Sequence, residues 1–270
     1  MNLLKKIVLY AMLVVCAIIL MFPMMYAFLI SFLSGAELLQ GRWWPNDWSL
    51  RNYAAAFEKV PLARYLWNSF FVSFVVMIGQ LIVSSLAAYA FVFLRFPGRN
   101  VLFFLTITTM LIPWEATVIP NYLTVQALGW TNNYFGLTVP FFALAFGIFL
   151  LRQHFKTIPF ELYEAAQVSG IKHFRFFWYV VLPLSKTSLT TLGIYSFLTT
   201  WNMYLWPLLV TNDERVRTVQ IGLKQMQTQE MVTEWGVVMA AVMIVILPTL
   251  LLLFVGQKQL QKGLMQGAIK

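Results

Sequence analysis

The sequence has few charged residues, and that scarcity excludes a soluble protein of ordinary composition. Only 11% of the 270 residues are Asp, Glu, Lys or Arg, while 60% are hydrophobic. Soluble domains carry about 25% charged residues, so much of this chain must face apolar surroundings. Aromatic residues reach 17%, which is typical of proteins whose Trp and Tyr side chains lie at membrane–water interfaces.

Several chemistry-bearing features are missing as well. The single cysteine, Cys16, excludes an internal disulfide framework and a cysteine-rich metal site; we expect it to be a small buried side chain. No Gly-x4-Gly-Lys-Ser/Thr phosphate loop occurs, so we expect this chain to bind no ATP. The two histidines, His154 and His173, lie outside the apolar runs, which leaves an intramembrane hydrolase without a base beside its nucleophile.

Long apolar runs are what the sequence has in abundance. About 20 apolar residues cross a bilayer as a helix, and a polar turn signal at 129–133 divides the longest run, 101–151, into two. We therefore predict an all-α membrane protein with a single transmembrane domain, residues 1–270. Its six predicted spans lie at about 7–32, 67–94, 101–120, 134–151, 187–210 and 235–256. The first is too long for the apolar core of a cleaved signal peptide.

The cations are unevenly distributed between the two sides of this six-helix arrangement. The side with both termini and the loops 95–100 and 152–186 holds twelve cations and two anions, while the other side holds seven of each. An excess of Lys and Arg in short loops marks the cytoplasm, so we predict that both termini are cytoplasmic. The net charge of +9 then reflects topology, because a nucleic-acid interface would need its cations clustered on one surface.

The two long external loops leave two interpretations open. The first, 34–66, contains Trp43, Trp44 and Trp48, which suit the headgroup level, and the second, 211–234, is polar with mixed charge. Either loop could contact an extracytoplasmic partner, or simply cap the helix ends.

The long cytoplasmic loop 152–186 contains a predicted surface helix. Pro159 suits a first helical turn, and anions such as Glu161 complement the N-terminal dipole. Gly170 can end the helix in the left-handed conformation. A second amphipathic stretch, 173–181, leads to the next span, and the whole predicted coupling region is 159–183. A loop that merely joined two spans would need only a few residues.

The residue spacing in this loop is similar to that of a known family. Glu164-Ala165-Ala166, three residues, Gly170, nine residues and Val180-Val181-Leu182-Pro183 resemble the EAA signature of ABC importer permeases, the inner-membrane components of binding-protein-dependent transport systems. The stretches 68–73, 201–207 and 257–268 resemble the second-permease type of the carbohydrate-uptake branch, which includes maltose and glycerol-phosphate importer permeases.

The resemblance implies a mechanical role for the loop. Its helix would be the coupling helix, with Glu164 offered to cations on an ATPase, Ala165 and Ala166 permitting close approach, Gly170 setting the turn and Pro183 closing the motif. It also implies a bacterial inner membrane location and no enzymatic activity in this chain. The implied partners are a second homologous permease, an ATPase dimer that binds ATP and Mg, and an extracytoplasmic solute-binding protein.

Four residues are candidates for the substrate path. Glu115 is the one ionisable group inside the predicted spans and should face a cavity; Pro113 and Pro120 flank it, so we predict a broken or bent helix there, with Asn121 nearby. Alternatively, the span ends at Pro113 and Glu115 lies in water. Trp201 and Asn202 would suit stacking on a sugar and bonding its hydroxyls, or would serve helix packing alone.

The sequence leaves several classes of transported solute open. A carbohydrate is the first candidate, because the predicted spans hold no cation for an anionic ligand. A glycerol-phosphate or related polyol-phosphate importer is the alternative, since 183–187 and 204–208 resemble that group. An ion-coupled secondary transporter is a third class, although such proteins usually hold several intramembrane charges.

Overall fold

The structure is a computed structural model that describes residues 3–228 and 234–265, and all regular elements of this part are helical. Two features named from the sequence lie partly outside the described residues: 229–233 of the second external loop, and the end of the tail resemblance, 266–268.

The helices follow one another with short connections. The first eight are α1 (Leu3–Ile30), α2 (Gly35–Leu39), α3 (Arg51–Lys59), α4 (Leu62–Phe93), α5 (Arg99–Thr108), α6 (Trp114–Ala127), α7 (Tyr134–Thr138) and α8 (Ala145–Phe155). The others are α9 (Phe160–Val168), α10 (His173–Phe176), α11 (Leu182–Leu184), α12 (Lys186–Trp201), α13 (Leu205–Val210), α14 (Val219–Thr228) and α15 (Trp235–Met265). Two 3-10 turns, Thr109–Leu111 and Val139–Phe141, extend α5 and α7, and a π-helical turn, Phe177–Val181, joins α10 to α11.

Among the described residues, three helices are long and apolar enough to cross a membrane, and two bent helix pairs could each form a further span. The three are Lys5–Ile30, Leu62–Phe93 and Trp235–Gln259. The pairs are Arg99–Leu111 with Trp114–Ala127, bent by 102°, and Tyr134–Phe141 with Ala145–Phe155, bent by 42°. The remaining predicted span, 187–210, is divided between α12, which has 16 residues, and α13. The count of six spans therefore stays a prediction.

The sharp bend in the first pair confirms the predicted break beside Glu115. Pro113 lies at the N-cap of α6, where its missing N–H removes a helical hydrogen bond and its ring disfavours a helical conformation of the preceding residue. Ile112 is accordingly extended, with ψ of 117°. The predicted turn at 129–133 is also present, with Gly129 and Asn132 at positive φ.

In the second pair, the helix continues beyond residue 151, the predicted end of that span. Helix α8 continues to Phe155, so Arg152, which the sequence placed in the following loop, belongs to a helix of an apolar pair. The residues Phe149 and Leu150 before it give no stop signal, since neither Gly nor Pro intervenes before Pro159.

The chain groups into two compact units, residues 1–64 with 221–248 and residues 65–220 with 249–270. The expectation of one transmembrane domain stays a prediction. In the first unit, Asn52 donates from Nδ2 to the carbonyl oxygens of Ser31 and Leu33, both at 2.9 Å. Gly236 allows α15 to approach this turn, because a Cβ there would come within 2.6 Å of Asn52 Nδ2.

Helix α2 begins with a complete capping box. The Ser34 backbone and side chain donate to Glu37 Oε2 at 2.9 and 2.7 Å, and the Glu37 N–H donates back to Ser34 Oγ. These bonds, with one from the Asn46 N–H, hold the pKa of the Glu37 carboxyl below its ordinary value. Most of α1, in contrast, is exposed, and Cys16 lies on its surface, so the expectation of a buried cysteine was wrong.

In the second unit, small polar residues of α4 face the interior. Ser69, Ser73, Gln80 and Ser84 are buried, and their spacings of four, seven and four residues place them on one helix face. Small and hydrogen-bonding side chains let helices approach closely where the surrounding lipid gives no hydrophobic incentive for association. Gly147 packs against this face, because a Cβ there would lie 2.5 Å from Ser84 Oγ.

Two helical glycines of this unit provide a matched test of how closely its helices pack. A Cβ on Gly136 would overlap the Trp130 carbonyl oxygen, whereas the nearest atom to a Cβ on Gly193 is Met77 Sδ at 3.6 Å. We expect Gly136→Ala to lower the free energy of unfolding by about 1–3 kcal/mol. Gly193→Ala should leave it unchanged or raise it by up to about 1 kcal/mol, because alanine favours helix. Thermal unfolding of the two purified variants in one detergent checks this; equal destabilisation would contradict the described packing.

Candidate coupling surface and transmembrane cavity

Helix α9 is fixed to the protein by one face. Tyr163 and Ala166, three residues apart, are buried and belong to a core cluster that includes Phe93 and Phe176. The Tyr163 ring lies 5.6 Å from that of Phe93 and 5.4 Å from that of Phe176. The helix is thus packed onto the ends of its neighbours and is not a free linker.

The end of α9 is a glycine cap of the kind predicted. Gly170 has φ of +72°, its N–H donates to Gln167 O at 3.0 Å, and the Ile171 N–H donates to Ala166 O at 2.8 Å. This pair of bonds is the Schellman motif, which satisfies the last carbonyls of a helix. Pro159 lies at the N-cap, one residue before α9 begins.

A hydrogen-bonded group of rings joins α9 and α10 to α4. Tyr89 donates from its hydroxyl to the His173 carbonyl oxygen at 3.0 Å, and the same hydroxyl lies 3.3 Å from His173 Nδ1. The Tyr163 hydroxyl lies 3.5 Å from that nitrogen and accepts from Gln167 Nε2 at 2.5 Å. The His173 ring thus lies between the hydroxyl groups of the two tyrosines.

The opposite face of α9 is open. Glu164 and Ala165 are exposed, and Val168, at the end of the helix, is 92% exposed. Glu164 makes no ion pair with any residue that the structure describes. Beside it, an open cavity of about 550 Å³ is lined by residues of α9, by His173, and by the last residue of α4 and the three residues after it, which include Arg95. An apolar side chain so fully exposed beside an unpaired carboxylate suits a protein contact.

Pro183 explains the π-helical turn that precedes it. As the second residue of α11, it has no N–H to donate to a carbonyl of the preceding turn, and the segment Phe177–Val181 takes the wider π geometry. Ser185 then re-forms the connection, since its N–H and Oγ both donate to Val181 O, at 3.1 and 2.7 Å.

A second cavity, of about 500 Å³, lies where the two bent helix pairs are interrupted. Gln80 donates from Nε2 to Phe141 O at 2.8 Å, and its Oε1 is buried without a hydrogen-bond partner among the described residues. The other polar lining residues are Thr109, Thr117 and Asn121, and the aromatic ones are Trp114, Phe141, Phe146 and Trp206. The lining residues include no charged side chain.

Only one of the four predicted path residues lines this cavity. Asn121 does; Glu115 lies exposed in the first turn of α6, where the helix dipole favours an anion. Trp201 is 2% exposed and stacks on Phe197 at 5.8 Å. Asn202 is exposed, and its Nδ2 donates to Leu198 O of its own helix at 2.8 Å.

The aromatic wall of the cavity was not found from the sequence. Trp206 is fully buried, donates from Nε1 to Gly136 O at 2.9 Å, and lies edge-on to Trp114 and Phe141 at 5.8 and 5.7 Å. The sequence did carry one available signal, because Gln80 is the only amide deep within the second apolar run.

The polar residues at the start of that run bind the segment 215–219 by hydrogen bonds. Asn68 donates from Nδ2 to the carbonyl oxygens of Arg215 and Arg217 at 2.9 and 2.8 Å and accepts from the Tyr134 hydroxyl. Ser69 Oγ accepts from the Val219 N–H at 2.8 Å. At the start of this segment, the side-chain hydrogen bond to Asp213 and the negative charge of Asp213 raise the pKa of Arg215.

The three long apolar helices, together with the two bent helix pairs around the cavity, are typical of a multi-pass membrane protein. Residues 80–265 match the family model described as binding-protein-dependent transport system inner membrane component. The chain therefore belongs to that family, and it is a transmembrane permease of an ABC importer, as the residue spacing of the loop predicted. This family is a family of transport permeases and not of enzymes.

Relatives and a solved structure agree with this assignment. The sn-glycerol-3-phosphate transport system permease protein UgpE of Brucella abortus is 38% identical over 267 residues, covering 95% of each chain. That of Yersinia pestis is 35% identical, covering 96% of this chain and 95% of its own. A chain in the crystal structure of a bacterial ABC transporter involved in the import of the acidic polysaccharide alginate superposes with a TM-score of 0.86, at 28% identity, covering 94% of this chain and 96% of that one.

The adjacent alanines of α9 should respond differently to the same substitution. Ala166 is 7% exposed within the core cluster, whereas Ala165 faces outward. We expect Ala166→Leu to lower the free energy of unfolding by about 1–3 kcal/mol through overpacking, and Ala165→Leu to leave it within about 0.5 kcal/mol. Thermal unfolding of the isolated permease checks the pair; an equal loss in both variants would mean that α9 is packed differently.

Proposed function

We propose that this permease forms half of the translocation path of a bacterial ABC importer for a hydroxyl-rich solute and receives the force of ATP hydrolysis through α9. The observation that carries the proposal is the geometry of α9, one face of which is bound to the core while Glu164, Ala165 and Val168 are exposed. The partners are a second permease, two ATPase subunits that hold ATP and Mg, and an extracytoplasmic solute-binding protein.

The proposed topology has six spans with both termini in the cytoplasm of the bacterial cell. It rests on the excess of cations on the side that carries α9, and on counting each bent pair and the α12–α13 segment as one span. The loop with Asn132, which accepts from the Asp213 N–H at 2.9 Å, then lies outside the cell.

In the proposed mechanism, α9 transmits movement because it is bound to the helices that line the path. Ala165 lets an ATPase surface approach closely, and the Glu164 carboxylate meets a cation on that surface. A push on the exposed face passes through Tyr163 and His173 to Tyr89 on α4. Gln80, nine residues earlier on the same helix, borders the transmembrane cavity, so tilting α4 would change the cavity.

Gly170 provides a direct test of coupling, with Gly129 as its matched control. Both glycines have φ near +70°, and both would place a Cβ in open space, so a side chain strains the backbone equally at the two positions. We expect Gly170→Asp to abolish most transport and to loosen the dependence of ATP hydrolysis on the solute-binding protein, because the new carboxylate stands at the ATPase contact. Gly129→Asp should retain both functions.

Transport and ATPase assays on the reconstituted complex check the two glycine variants. Normal uptake by Gly170→Asp would contradict the proposed contact, and so would an equal loss of uptake in Gly129→Asp.

The solute is proposed from two observations that point to different charges. The relatives that are 35–38% identical are named as sn-glycerol-3-phosphate permeases, which makes a polyol phosphate the first candidate. The cavity favours the second candidate, a neutral carbohydrate, because aromatic faces and amides bind sugars and no charged side chain lines it. Competition of sn-glycerol-3-phosphate and neutral sugars for the cognate solute-binding protein, followed by uptake of the tighter ligand, separates the two.

Two asparagines test whether the solute passes through the cavity, because one lines it and the other does not. Asn121 lines the cavity, whereas the Asn202 side chain donates a hydrogen bond to the Leu198 carbonyl oxygen at the end of its own helix. We expect Asn121→Leu to lower solute uptake about tenfold, the loss typical of one ligand hydrogen bond whose partner stays buried, without lowering basal ATP hydrolysis. Asn202→Leu should lower uptake less than twofold. Uptake measured at equal protein levels checks this, and the reverse order would move the path away from the cavity.

A further inference from the structure

Arg152 is a buried cation that meets no anion among the described residues. It is 9% exposed and lies three residues before the end of α8. Its guanidinium carbon stands 3.7 Å from the centre of the Phe103 ring, and its Nε is buried without a hydrogen-bond partner. Its side chain makes no hydrogen bond or ion pair with any residue in the described ranges 3–228 and 234–265. A buried charge of this kind is costly unless an opposite charge meets it.

A second cation lies on the same side of α5. Arg99 begins that helix, and Phe103, four residues later, lies on the same helix face. Because the Arg152 guanidinium lies over the Phe103 ring, Arg152 and Arg99 are on the same side of α5. Arg99 is close enough to act on Arg152 by like-charge repulsion. It is held in place by hydrogen bonds from Nη1 to the carbonyl oxygens of Val92 and Leu94, at 3.4 and 3.1 Å.

The first turn of α5 adds a third attraction for an anion. The N-cap is Gly98, with φ of +77°, and no side chain caps the helix. The ten-residue helix therefore begins with backbone N–H groups free of a side-chain acceptor, beside the positive end of the helix dipole. Such a helix start is an anion-binding arrangement, here combined with two arginines.

We propose that Arg152, Arg99 and the start of α5 bind the phosphate of an anionic phospholipid. A guanidinium matches two phosphate oxygens in one plane. A lipid, rather than free phosphate, is favoured because the rest of α5 offers an exposed apolar strip on which acyl chains can lie: Val101, Leu102, Phe104 and Leu105 are 64%, 50%, 69% and 54% exposed. Basic pockets between transmembrane helices at the cytoplasmic side are known to suit lipid headgroups.

The test uses the complete transporter in nanodiscs of phosphatidylcholine, with and without phosphatidylglycerol. Native mass spectrometry counts retained phosphatidylglycerol, and the unfolding temperature reports stabilisation by bound lipid. We expect Arg152→Gln to weaken phosphatidylglycerol retention about tenfold, the effect of losing one charged hydrogen-bonding partner. The matched control is Arg175→Gln, which removes an exposed arginine 5.8 Å from the Tyr179 ring and should leave retention unchanged.

Two further arms separate the alternatives. Arg152→Met keeps the apolar packing, so it should fold and lose only the stabilisation that phosphatidylglycerol adds. Inorganic phosphate added to phosphatidylcholine discs should not reproduce that stabilisation; if it does, the ligand is a free anion and the proposal is overturned. Equal destabilisation of Arg152→Gln in both lipids would also overturn it, because a carboxylate of a partner subunit would then be the missing anion.

Discussion

Lipid offers no hydrogen bonds, so every backbone group released at an interrupted helix must be satisfied inside the protein, and this constraint organises the part of the permease that lines the cavity. The second bent pair leaves the Phe141 carbonyl without a helical partner at this break, and the Gln80 amide donates to it. Gln80 thereby lies at the junction between the helices, and its Oε1 has no hydrogen-bond partner in the described part of the chain and borders a cavity. The shape of this cavity, the proposed solute site, is a consequence of how the breaks are satisfied.

The same helix that carries Gln80 also carries the contacts of α9. The Tyr89 hydroxyl donates to the His173 carbonyl oxygen, and the Phe93 ring packs on the Tyr163 ring. Helix α4 and these side chains therefore connect the cavity to α9. Permeases of this family need such a connection, because the energy source lies on another polypeptide. In the proposed mechanism, α4 supplies this connection, because its side chains contact the bent helix pair at Gln80 and the helices α9 and α10 at Tyr89 and Phe93.

Local features were predictable from the sequence because single residues dictate them. Pro113 lacks an N–H and constrains the residue before it, which favours the break at that point, and Gly170 takes a left-handed conformation that most other residues avoid. The cavity was not predictable, since Gln80, Asn121 and Trp206 come from separate helices and no local pattern encodes their meeting. Apolar runs also hide which face is inside, because lipid and protein interior are equally apolar. The sequence placed Arg152 in a loop because its charge ends the apolar run, although α8 continues past it.

The central claim is that the exposed face of α9 meets an ATPase in the cytoplasm, and cross-linking from Val168 tests it most directly. Val168→Cys, made with Cys16→Ala so that it is the only cysteine of the chain, presents a thiol at the end of α9. The account predicts that this thiol is labelled only from the cytoplasmic side, and that it cross-links to the ATPase subunit in the assembled transporter. Labelling from the outside, or an assembled and active transporter in which no ATPase cross-link forms, would contradict it.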